Sequence, residues 1–291
     1  MFKKISNAVF LLFQYIAPKT LISRLAGKLA SAKMGKFTTS FIKFFVKHYQ
    51  VDLSMTEKTN PEDYATFNEF FTRALKPEAR PVNNDENTLV FPSDGTISQF
   101  GAIEQGRIIQ AKGFDFSANT LLGGDRSVSE LFREGKFITI YLSPKDYHRV
   151  HMPFTGQLLK MIFIPGKLYS VNPLTASNID SLFARNERVV CLFKTSFGPM
   201  AVTLVGATIV ASIETVWAGV VVPAINGDKT AVYDYSSQNI VLEKGAELGR
   251  FLLGSTVICC FPKNTMEFDD SLKKLLPTQC GQTMGTLNNK Q

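Results

Sequence analysis

The stretch FLLGSTVICC, residues 251–260, has the composition of a buried β-strand with a break in its middle. Its Phe, Val and Ile residues favour a strand, whereas Gly254 and Ser255 contribute little or no side chain to strand packing. The break has two interpretations. It marks a bulge or a close backbone approach, or it holds a reactive hydroxyl beside a flexible peptide bond. Spacing within the stretch does not distinguish them.

From about Leu89 onward the chain has the same texture, with short β-prone runs between Gly, Pro or Asn residues. Many short strands separated by turn signals predict a β-rich domain of mainly antiparallel strands. The predicted strands are 89–91, 95–101, 107–111, 137–142, 149–152, 156–164, 188–195, 199–216, 219–223, 230–234, 239–242 and 255–261. Helical segments are predicted at 117–122, 127–134 and 173–184, and a further short helix in FNEFFTRALKPEARPV (67–82), stopped by Pro77 and Pro81.

Composition and cysteine usage narrow the class of protein. A chain of 291 residues that is 45% hydrophobic can bury a sizeable core, in one large domain or two modest ones. Its 4 cysteines, Cys191, Cys259, Cys260 and Cys280, contain no CxxC pair, and adjacent cysteines rarely bridge to each other. We therefore expect buried free thiols in a reducing compartment, and neither a disulfide framework nor a zinc site.

The positive charge is concentrated at the N-terminus. The net charge is +7, yet residues 1–50 contain nine Lys or Arg and no Asp or Glu, so the remainder carries a net charge of −2. A basic arm of this kind suits nucleic acid or an anionic membrane surface. Seven Phe residues interleave with the basic ones, which favours a membrane and argues against nucleic acid.

Apolar residues in this arm recur at helical spacing. They are Leu21, Leu25 and Leu29 after Pro18, and Phe41, Phe44, Phe45 and His48 further on. Two interpretations stay open and can coexist: the helices lie in a membrane interface, or they pack on the protein's own core. The longest apolar stretch, AVFLLF (8–13), is far shorter than the ~20 residues of a spanning helix, and no secretory signal is evident. The overall prediction is an α+β fold, with amphipathic helices in residues 1–60 and a β-rich domain in 61–291.

Three segments of the sequence contain residues of types that are common in active sites. FPSDGTI (91–97) contains Asp94, YLSPKDYHRVHMP (141–153) contains His148 and His151, and Ser255 follows Gly254. Asp94, His151 and Ser255 supply the carboxylate, imidazole and hydroxyl of a base-activated nucleophile. Taken singly, Asp-Gly is a turn signal and the two histidines suit a structural or surface role. The histidines are too sparse for a metal site, and no GxSxG motif is present.

Together, the segments resemble the bacterial phosphatidylserine decarboxylases, which are pyruvoyl-dependent enzymes. The segments that carry the resemblance are FNEFFTRALKPEARP, FPSDGTI, KGFDFS, YLSPKDYHRVHMP, GKLYSVN, LFARNERVVCLF, FGPMAVTLVGATIVASIETVWAG and KGAELGRFLLGSTV, spanning about residues 65–261. The combination of HRVHMP and LGST is the most specific part. The basic N-terminal arm also fits this family.

The resemblance implies a proenzyme that cuts itself between Gly254 and Ser255. Ser255 Oγ attacks the Gly254 carbonyl, His151 takes the hydroxyl proton and Asp94 orients His151. An ester forms, and elimination and hydrolysis leave a pyruvoyl group at the new N-terminus. The products are chains 1–254 and 255–291, which stay together as a heterodimer; whether this dimerises further is open.

The resemblance also implies the second reaction. The pyruvoyl cofactor forms a Schiff base with phosphatidylserine and accepts the electrons released with CO₂, giving phosphatidylethanolamine. His148 is the candidate acid for the carbanion, although the division of roles between His148 and His151 is open. On a strand the two side chains would point to opposite faces. The segment YSVNPLTASNIDSLF (169–183) is either a lid that contacts acyl chains or a plain surface loop.

The sequence also bears on where the protein is located and on which other functions are open. The resemblance and the basic arm imply a peripheral protein on the cytoplasmic face of the bacterial inner membrane, with an anionic phospholipid as its partner. Two other functions are also compatible with the sequence. One is a membrane-associated serine hydrolase that uses the same three residues and never cuts itself, and the other is a lipid-binding scaffold without catalysis.

Overall fold

The computed structural model describes residues 2–208, 212–221, 229–252 and 255–288. Its helices are α1 (Phe2–Ile16), α2 (Lys19–Ser31), α3 (Lys36–Tyr49), α4 (Phe67–Phe71), α5 (Ala118–Leu121), α6 (Arg126–Glu130), α7 (Pro173–Ala176) and α8 (Leu182–Arg185), with 3-10 turns at Pro61–Asp63 and Pro77–Ala79. Its strands are β1 (Thr88–Val90), β2 (Gly95–Ala102), β3 (Arg107–Ala111), β4 (Phe114–Ser117), β5 (Lys136–Leu142), β6 (Arg149–His151), β7 (Gly156–Ile164), β8 (Arg188–Thr195), β9 (Gly198–Val205), β10 (Ile213–Thr215), β11 (Gly219–Val220), β12 (Ala231–Asp234), β13 (Val241–Leu242), β14 (Glu247–Phe251), β15 (Ser255–Phe261), β16 (Met266–Phe268), β17 (Pro277–Thr278) and β18 (Thr283–Leu287).

A nine-stranded antiparallel sheet forms the centre of the molecule. Its order is β12-β7-β8-β9-β15-β5-β2-β17, with β13 also paired to β7. β15 lies in the middle, and its backbone pairs with β5 on one side and β9 on the other. The strand that begins at Ser255 is therefore fixed along both edges.

Successive side chains of β15 enter two different cores. Val257, Cys259 and Phe261 belong to one hydrophobic cluster, here called the first core. Ile258 and Cys260 belong to another, the second core. This is the two-residue period of a strand that is buried on both faces, and it explains why VICCF is apolar at every position.

A four-stranded antiparallel sheet, β11-β10-β14-β6, contributes to the first core. Val150 of β6, Ile213 of β10 and Leu248 of β14 are fully buried there. This places β6 on the same side of the central sheet as Val257. A three-stranded sheet, β1-β18-β16, and the hairpin β3-β4 complete the pairing.

A third core joins the N-terminal helices to the body. It consists of Ala30 from α2, Ile42 from α3, Phe67, Phe70 and Phe71 from α4, and Val51 and Tyr64 from the intervening chain. Helix α1 is attached separately, because Oε1 of the buried Gln14 accepts a hydrogen bond from the Ser170 backbone nitrogen at 2.9 Å. Each helix thus packs on the protein through only a few residues, and much of its apolar surface remains exposed.

Large apolar side chains stay exposed on all three N-terminal helices. They are Ile5, Val9, Leu12, Phe13, Tyr15 and Ile16 on α1, Leu21, Leu25 and Leu29 on α2, and Phe37, Phe41 and Phe44 on α3. We call this set the exposed apolar face. No single helix in the described chain is long and apolar enough to cross a membrane; α1 and α2 qualify by length and composition only as a pair, and they are bent by 94° at the break between them.

The α+β class with antiparallel strands and N-terminal helices is confirmed, with corrections to individual elements. The predicted strand 199–216 is two strands, β9 and β10, in different sheets, because the chain leaves the central sheet after Val205. The predicted helix 173–184 is the two short helices α7 and α8. Helix α4 ends at Phe71, well before Pro77, which instead begins a 3-10 turn. Residues 222 and 223 of the predicted strand 219–223 lie outside the described residues.

The packing of two segments bears on alternatives that the sequence left open. The residue of α3 that is fully buried is Ile42, whereas Phe41 and Phe44 of the predicted stripe are 50% and 60% exposed, so these two side chains lie mostly outside the protein's own core. In segment 169–183 the apolar side chains, such as Ile179 and Phe183, are buried in the second core. They are therefore not available as the contact surface of a lid.

The predicted buried thiols agree with the structure. Cys191, Cys259, Cys260 and Cys280 are all free and buried. Cys259 and Cys260 point to opposite faces of β15, which is why these neighbours do not bridge. Burial raises the pKa of each thiol, to about 12 for Cys260.

Candidate active site

Ser255, the first residue of β15, lies inside the protein. It is 1% exposed, and its Oγ has no hydrogen-bond partner in the described part of the chain. The alternation along β15 directs it toward the first core, as it does Val257. A buried polar group without a partner costs roughly 1–3 kcal/mol, so the fold retains an unfavourable hydroxyl at this position. Gly254, the other half of the predicted scissile bond, lies outside the described residues.

His148 lies just before β6 and is fully buried. Its Nδ1 is 2.8 Å from the backbone oxygen of Asp146, and because a carbonyl only accepts, Nδ1 carries the proton. Nε2 therefore has the lone pair, and it has no partner among the described residues. Burial, followed by the nearby charge of Arg73, lowers the pKa of His148 to about 3. The ring is neutral near pH 7, with a free proton acceptor.

His151, the last residue of β6, has both ring nitrogens occupied. Nδ1 donates to the Gly245 backbone oxygen at 2.8 Å, and Nε2 lies 3.1 Å from the Tyr147 hydroxyl, which therefore donates to it. Burial lowers the pKa of His151 as well. This histidine is also a neutral ring, but its acceptor nitrogen is held by the phenol.

The two histidines point to opposite sides of their segment, as the strand prediction required. The ladder between β6 and β14 continues to His148, whose backbone oxygen accepts from Phe251 at 3.0 Å. His148 therefore alternates with Arg149 and shares the face of Val150, which packs in the first core. The His148 ring packs on Phe71 of the third core, at 4.0 Å between ring centroids, whereas His151 lies on the other face of β6.

Asp94 precedes β2 and is held by two donors. Its carboxylate forms an ion pair with Arg80, with Nε to Oδ1 at 2.9 Å, and accepts from the Cys280 backbone nitrogen at 3.0 Å. The adjacent Gly95 is explained by a close approach, because a Cβ there would lie 2.5 Å from the Tyr141 oxygen. The preceding Pro92 accepts from the His151 backbone nitrogen at 2.7 Å, so this segment runs beside β6.

The structure brings these segments together without forming the predicted relay. Within the described chain, no hydrogen bond joins Asp94 to His151 or His151 to Ser255, and both ring nitrogens of His151 have other partners. The roles of Asp94, His151, Ser255 and His148 therefore stay predictions. No group of three or more His, Cys, Asp or Glu side chains that could hold a metal occurs in the part of the chain that the structure describes.

Sequence reasoning missed three site residues, although all three lie inside the quoted motifs. Arg80 and Arg73 belong to FNEFFTRALKPEARP, and Tyr147 belongs to YLSPKDYHRVHMP. Tyr147 is buried, and burial raises the pKa of its hydroxyl, which keeps the phenol protonated as a donor to His151. The available signal was the density of Arg and Tyr within motifs already singled out; what was missing was their burial.

Acidification is expected to destabilise the uncut protein through His148. Its pKa lies near 3 in the folded protein against 6.5 ordinarily, so between these values the unfolded chain binds a proton that the folded chain does not. Stability is thus lost as the pH falls below about 6.5. With Ser255→Ala keeping the chain uncut, His148→Gln should remove about 1.4 kcal/mol of the stability lost between about pH 7.5 and pH 5.5.

Denaturant unfolding of the two proteins at both pH values measures this difference. The comparison isolates His148 because every other titrating group is common to both. An identical pH dependence in the two proteins would contradict the neutral, buried state of the ring.

Comparison with known proteins places the chain in a family. A family model described as phosphatidylserine decarboxylase matches residues 67–286, and one described as PSD matches residues 9–50. A relative in Psychromonas ingrahamii is 57% identical over 270 residues, covering 92% of this chain and 94% of its own length. A relative in Photobacterium profundum is 53% identical over 281 residues, covering 96% of each chain. Both relatives are named phosphatidylserine decarboxylase proenzyme.

The matched region contains every candidate site residue in the β-rich part of the molecule, from Arg73 to Ser255. The chain is thus a decarboxylase with an α+β fold. The chain belongs to the phosphatidylserine decarboxylase family. The resemblance found in the motifs is confirmed.

Proposed function

We propose that this chain is the proenzyme of a phosphatidylserine decarboxylase and that it cuts itself between Gly254 and Ser255. The observation that carries the proposal is the buried Ser255 hydroxyl, without a hydrogen-bond partner in the described chain, at the first position of β15. A cofactor made from Ser255 fits this position, because the orphaned oxygen is the atom that has to react.

The cut is an acyl shift followed by an elimination. Ser255 Oγ bonds to the Gly254 carbonyl carbon and its proton passes to a base; the bond from that carbon to the Ser255 nitrogen breaks, and the nitrogen takes a proton. Loss of the Ser255 Cα proton then expels the Gly254 carboxylate and leaves a carbon–carbon double bond in residue 255. Water converts this residue to an N-terminal pyruvoyl group, and ammonia leaves.

His151 is the proposed base for the cut, with Asp94 as the group that orients it. For this role Tyr147 must relay the proton or move aside, because its hydroxyl occupies His151 Nε2. Asp94 must accept from His151 Nδ1 in place of the Gly245 oxygen, while Arg80 and Cys280 hold its carboxylate. Since each carboxylate oxygen accepts more than one hydrogen bond, the ion pair with Arg80 does not prevent this.

The pyruvoyl carbonyl would supply the electron sink for the bond that releases CO₂. The contribution of the chain itself is proton handling at His148 Nε2. Because this ring is neutral, it first accepts a proton, for which the substrate's ammonium group is the natural source, and then returns one to the carbon that has lost CO₂. A ring that starts neutral serves as base and acid in turn.

The two chains would stay together after the cut. β15 pairs with β5 and β9 along its length, and β17 pairs with β2 at the edge of the same sheet, so chain 255–291 supplies a central strand and an outer one to the central sheet. Its β18 also pairs with β1 of chain 1–254. Removing it would expose both cores. We therefore propose a heterodimer of the two products.

The exposed apolar face is the proposed membrane contact. Arg24, Lys28 and Lys47 are exposed on the same helices and suit an anionic surface. We further propose a peripheral protein on the cytoplasmic face of the bacterial inner membrane, which the exposed apolar face and its basic residues support.

Polar substitution of Leu21, Leu25 and Leu29 is expected to weaken vesicle binding about ten-fold or more, because three exposed apolar side chains lose their insertion into the interface. Co-sedimentation with phosphatidylserine vesicles measures this. The control replaces Leu131 and Leu275, which are also exposed, at 43% and 71%, but lie outside the N-terminal helices. Unchanged binding by the triple variant, or an equal loss in the control, would contradict the assignment of this face.

The function itself is tested by incubating the purified protein with phosphatidylserine vesicles. We expect release of CO₂ and the appearance of phosphatidylethanolamine. Hydrolysis of the lipid by an uncut chain without CO₂ release would identify a serine hydrolase instead, and vesicle binding without any turnover would identify a scaffold.

A further inference from the structure

Arg73, which follows α4, is a buried cation with open donors. It is 4% exposed and forms no ion pair with a described carboxylate. Its Nη2 donates to the backbone oxygens of Lys145 and Asp146, at 2.8 and 3.1 Å. Its Nε and Nη1 are buried and have no hydrogen-bond partner among the described residues. Because burying such a group is unfavourable, the open donors point to a missing ligand.

A second buried arginine shows what a purely structural guanidinium looks like in this protein. Arg188 is 2% exposed, and each of its nitrogens donates to a backbone oxygen: Nε to Leu121, Nη1 to Asn186 and Nη2 to Thr120. The fold can therefore satisfy a buried guanidinium completely. At Arg73 it leaves two of the three nitrogens open.

The open donors lie beside an open acceptor. Arg73 Nη2 and His148 Nδ1 donate to the same backbone oxygen, that of Asp146, so the guanidinium and the imidazole are neighbours. His148 Nε2 is the unpartnered acceptor. A ligand that matches both groups has an anionic acceptor for Arg73 and, a few bonds away, a donor for His148. The headgroup of an aminophospholipid has this pattern, with a phosphodiester and an ammonium group.

A row of aromatic contacts leads from this place to the exposed apolar face. Phe41, which is half exposed, lies 4.9 Å from Phe67 between ring centroids, and Phe67 lies 5.9 Å from Phe71. Phe71 in turn packs on His148 at 4.0 Å. These contacts connect the place beside Arg73 and His148 to the face that is proposed to lie against the lipid.

We propose that Arg73 binds the phosphodiester of the aminophospholipid substrate, an inference that rests on the proposed function. Phosphate is the better occupant than the carboxylate of the serine headgroup. Pairing with Arg73 would stabilise the carboxylate before it leaves as neutral CO₂ and so raise the barrier, whereas the phosphate keeps its charge throughout. Arg73 therefore holds the substrate and the product alike.

The test compares Arg73→Gln and Arg73→Lys with the wild type, using short-chain phosphatidylserine as substrate and short-chain phosphatidylethanolamine as product inhibitor. Arg107→Gln is the matched control, because that guanidinium pairs with Asp115 on the exposed hairpin β3-β4. Intact mass first establishes that each variant is cut. We expect Arg73→Gln to raise the KM and the product inhibition constant together, by about 10- to 100-fold, with kcat within about three-fold of the wild type.

Arg73→Lys should lie between the wild type and Arg73→Gln, and Arg107→Gln should match the wild type. A raised KM with an unchanged product inhibition constant would assign Arg73 to the carboxylate, and unchanged constants would make it structural; either result overturns the proposal. Failure of the proposed function looks different, because the wild type itself would then release no CO₂.

If Arg73→Gln is not cut, the comparison moves to the uncut Ser255→Ala protein. Calorimetric binding of short-chain phosphatidylethanolamine is then measured with and without Arg73→Gln. Loss of binding supports the phosphate contact, and equal binding overturns it.

Discussion

Replacing Ser255 by alanine is expected to leave a single chain of 32.3 kDa that releases no CO₂ from phosphatidylserine. The substitution removes the only atom of residue 255 that can attack the Gly254 carbonyl, so neither the cut nor the pyruvoyl group can form. The fold should tolerate the change, because the lost hydroxyl has no hydrogen-bond partner in the described structure. Intact-mass spectrometry and CO₂ release are the measurements.

Thr256 provides the matched control for this experiment. It is fully buried on the same strand, its Oγ1 is likewise unpartnered within the described chain, and it faces away from the first core. Thr256→Val should therefore still be cut. Ser255→Cys keeps a nucleophile and should be cut, although more slowly. Cutting of the Ser255→Ala chain, or its loss in the Thr256 variant, would contradict the special role of Ser255.

Replacing His148 by alanine is expected to leave the cut intact and to lower kcat for decarboxylation by about 10²- to 10⁴-fold, the usual contribution of a positioned acid or base. The reason is that His148 Nε2 is the free acceptor of a neutral, buried ring. His151→Ala should do the reverse and block the cut. Intact mass and single-turnover CO₂ release separate the two steps.

The opposite result for the two histidine variants would exchange their proposed roles. His148 Nε2 is unpartnered within the described chain, whereas the Tyr147 hydroxyl occupies His151 Nε2. If His148→Ala remains one chain while His151→Ala is cut, His148 is the base for the cut and the proposed division of roles is reversed. A cut His148→Ala protein with full decarboxylase activity would remove His148 from the reaction altogether.

The sequence predicted strands well where burial on one or both faces imposes a pattern. β15 is the clearest example, because VICCF must fill two cores at once. It failed where the chain changes sheets, as between β9 and β10, because an apolar run continues through a change of direction. It also failed at α4, which ends at Phe71, six residues before the proline that was predicted to stop it.

At the site, residue types were predictable and partners were not. The candidate residues could be found in the sequence because histidine is rare in this chain and because the others lie in distinctive motifs. They are Ser255, His148, His151 and Asp94. Their partners come from distant parts of the chain, as with the Gly245 oxygen that holds His151. No sequence pattern shows that one buried arginine is satisfied and another is open, because this depends on backbone oxygens that folding brings together.

The most direct test of the account is the mass and N-terminus of the protein purified after expression as the full chain. We predict two chains that separate under denaturing conditions, with the break between Gly254 and Ser255. The smaller chain should begin with a blocked residue that N-terminal sequencing cannot read and that borohydride reduction with an amine shifts in mass. A single uncut chain that decarboxylates phosphatidylserine, or a break at another bond, would contradict it.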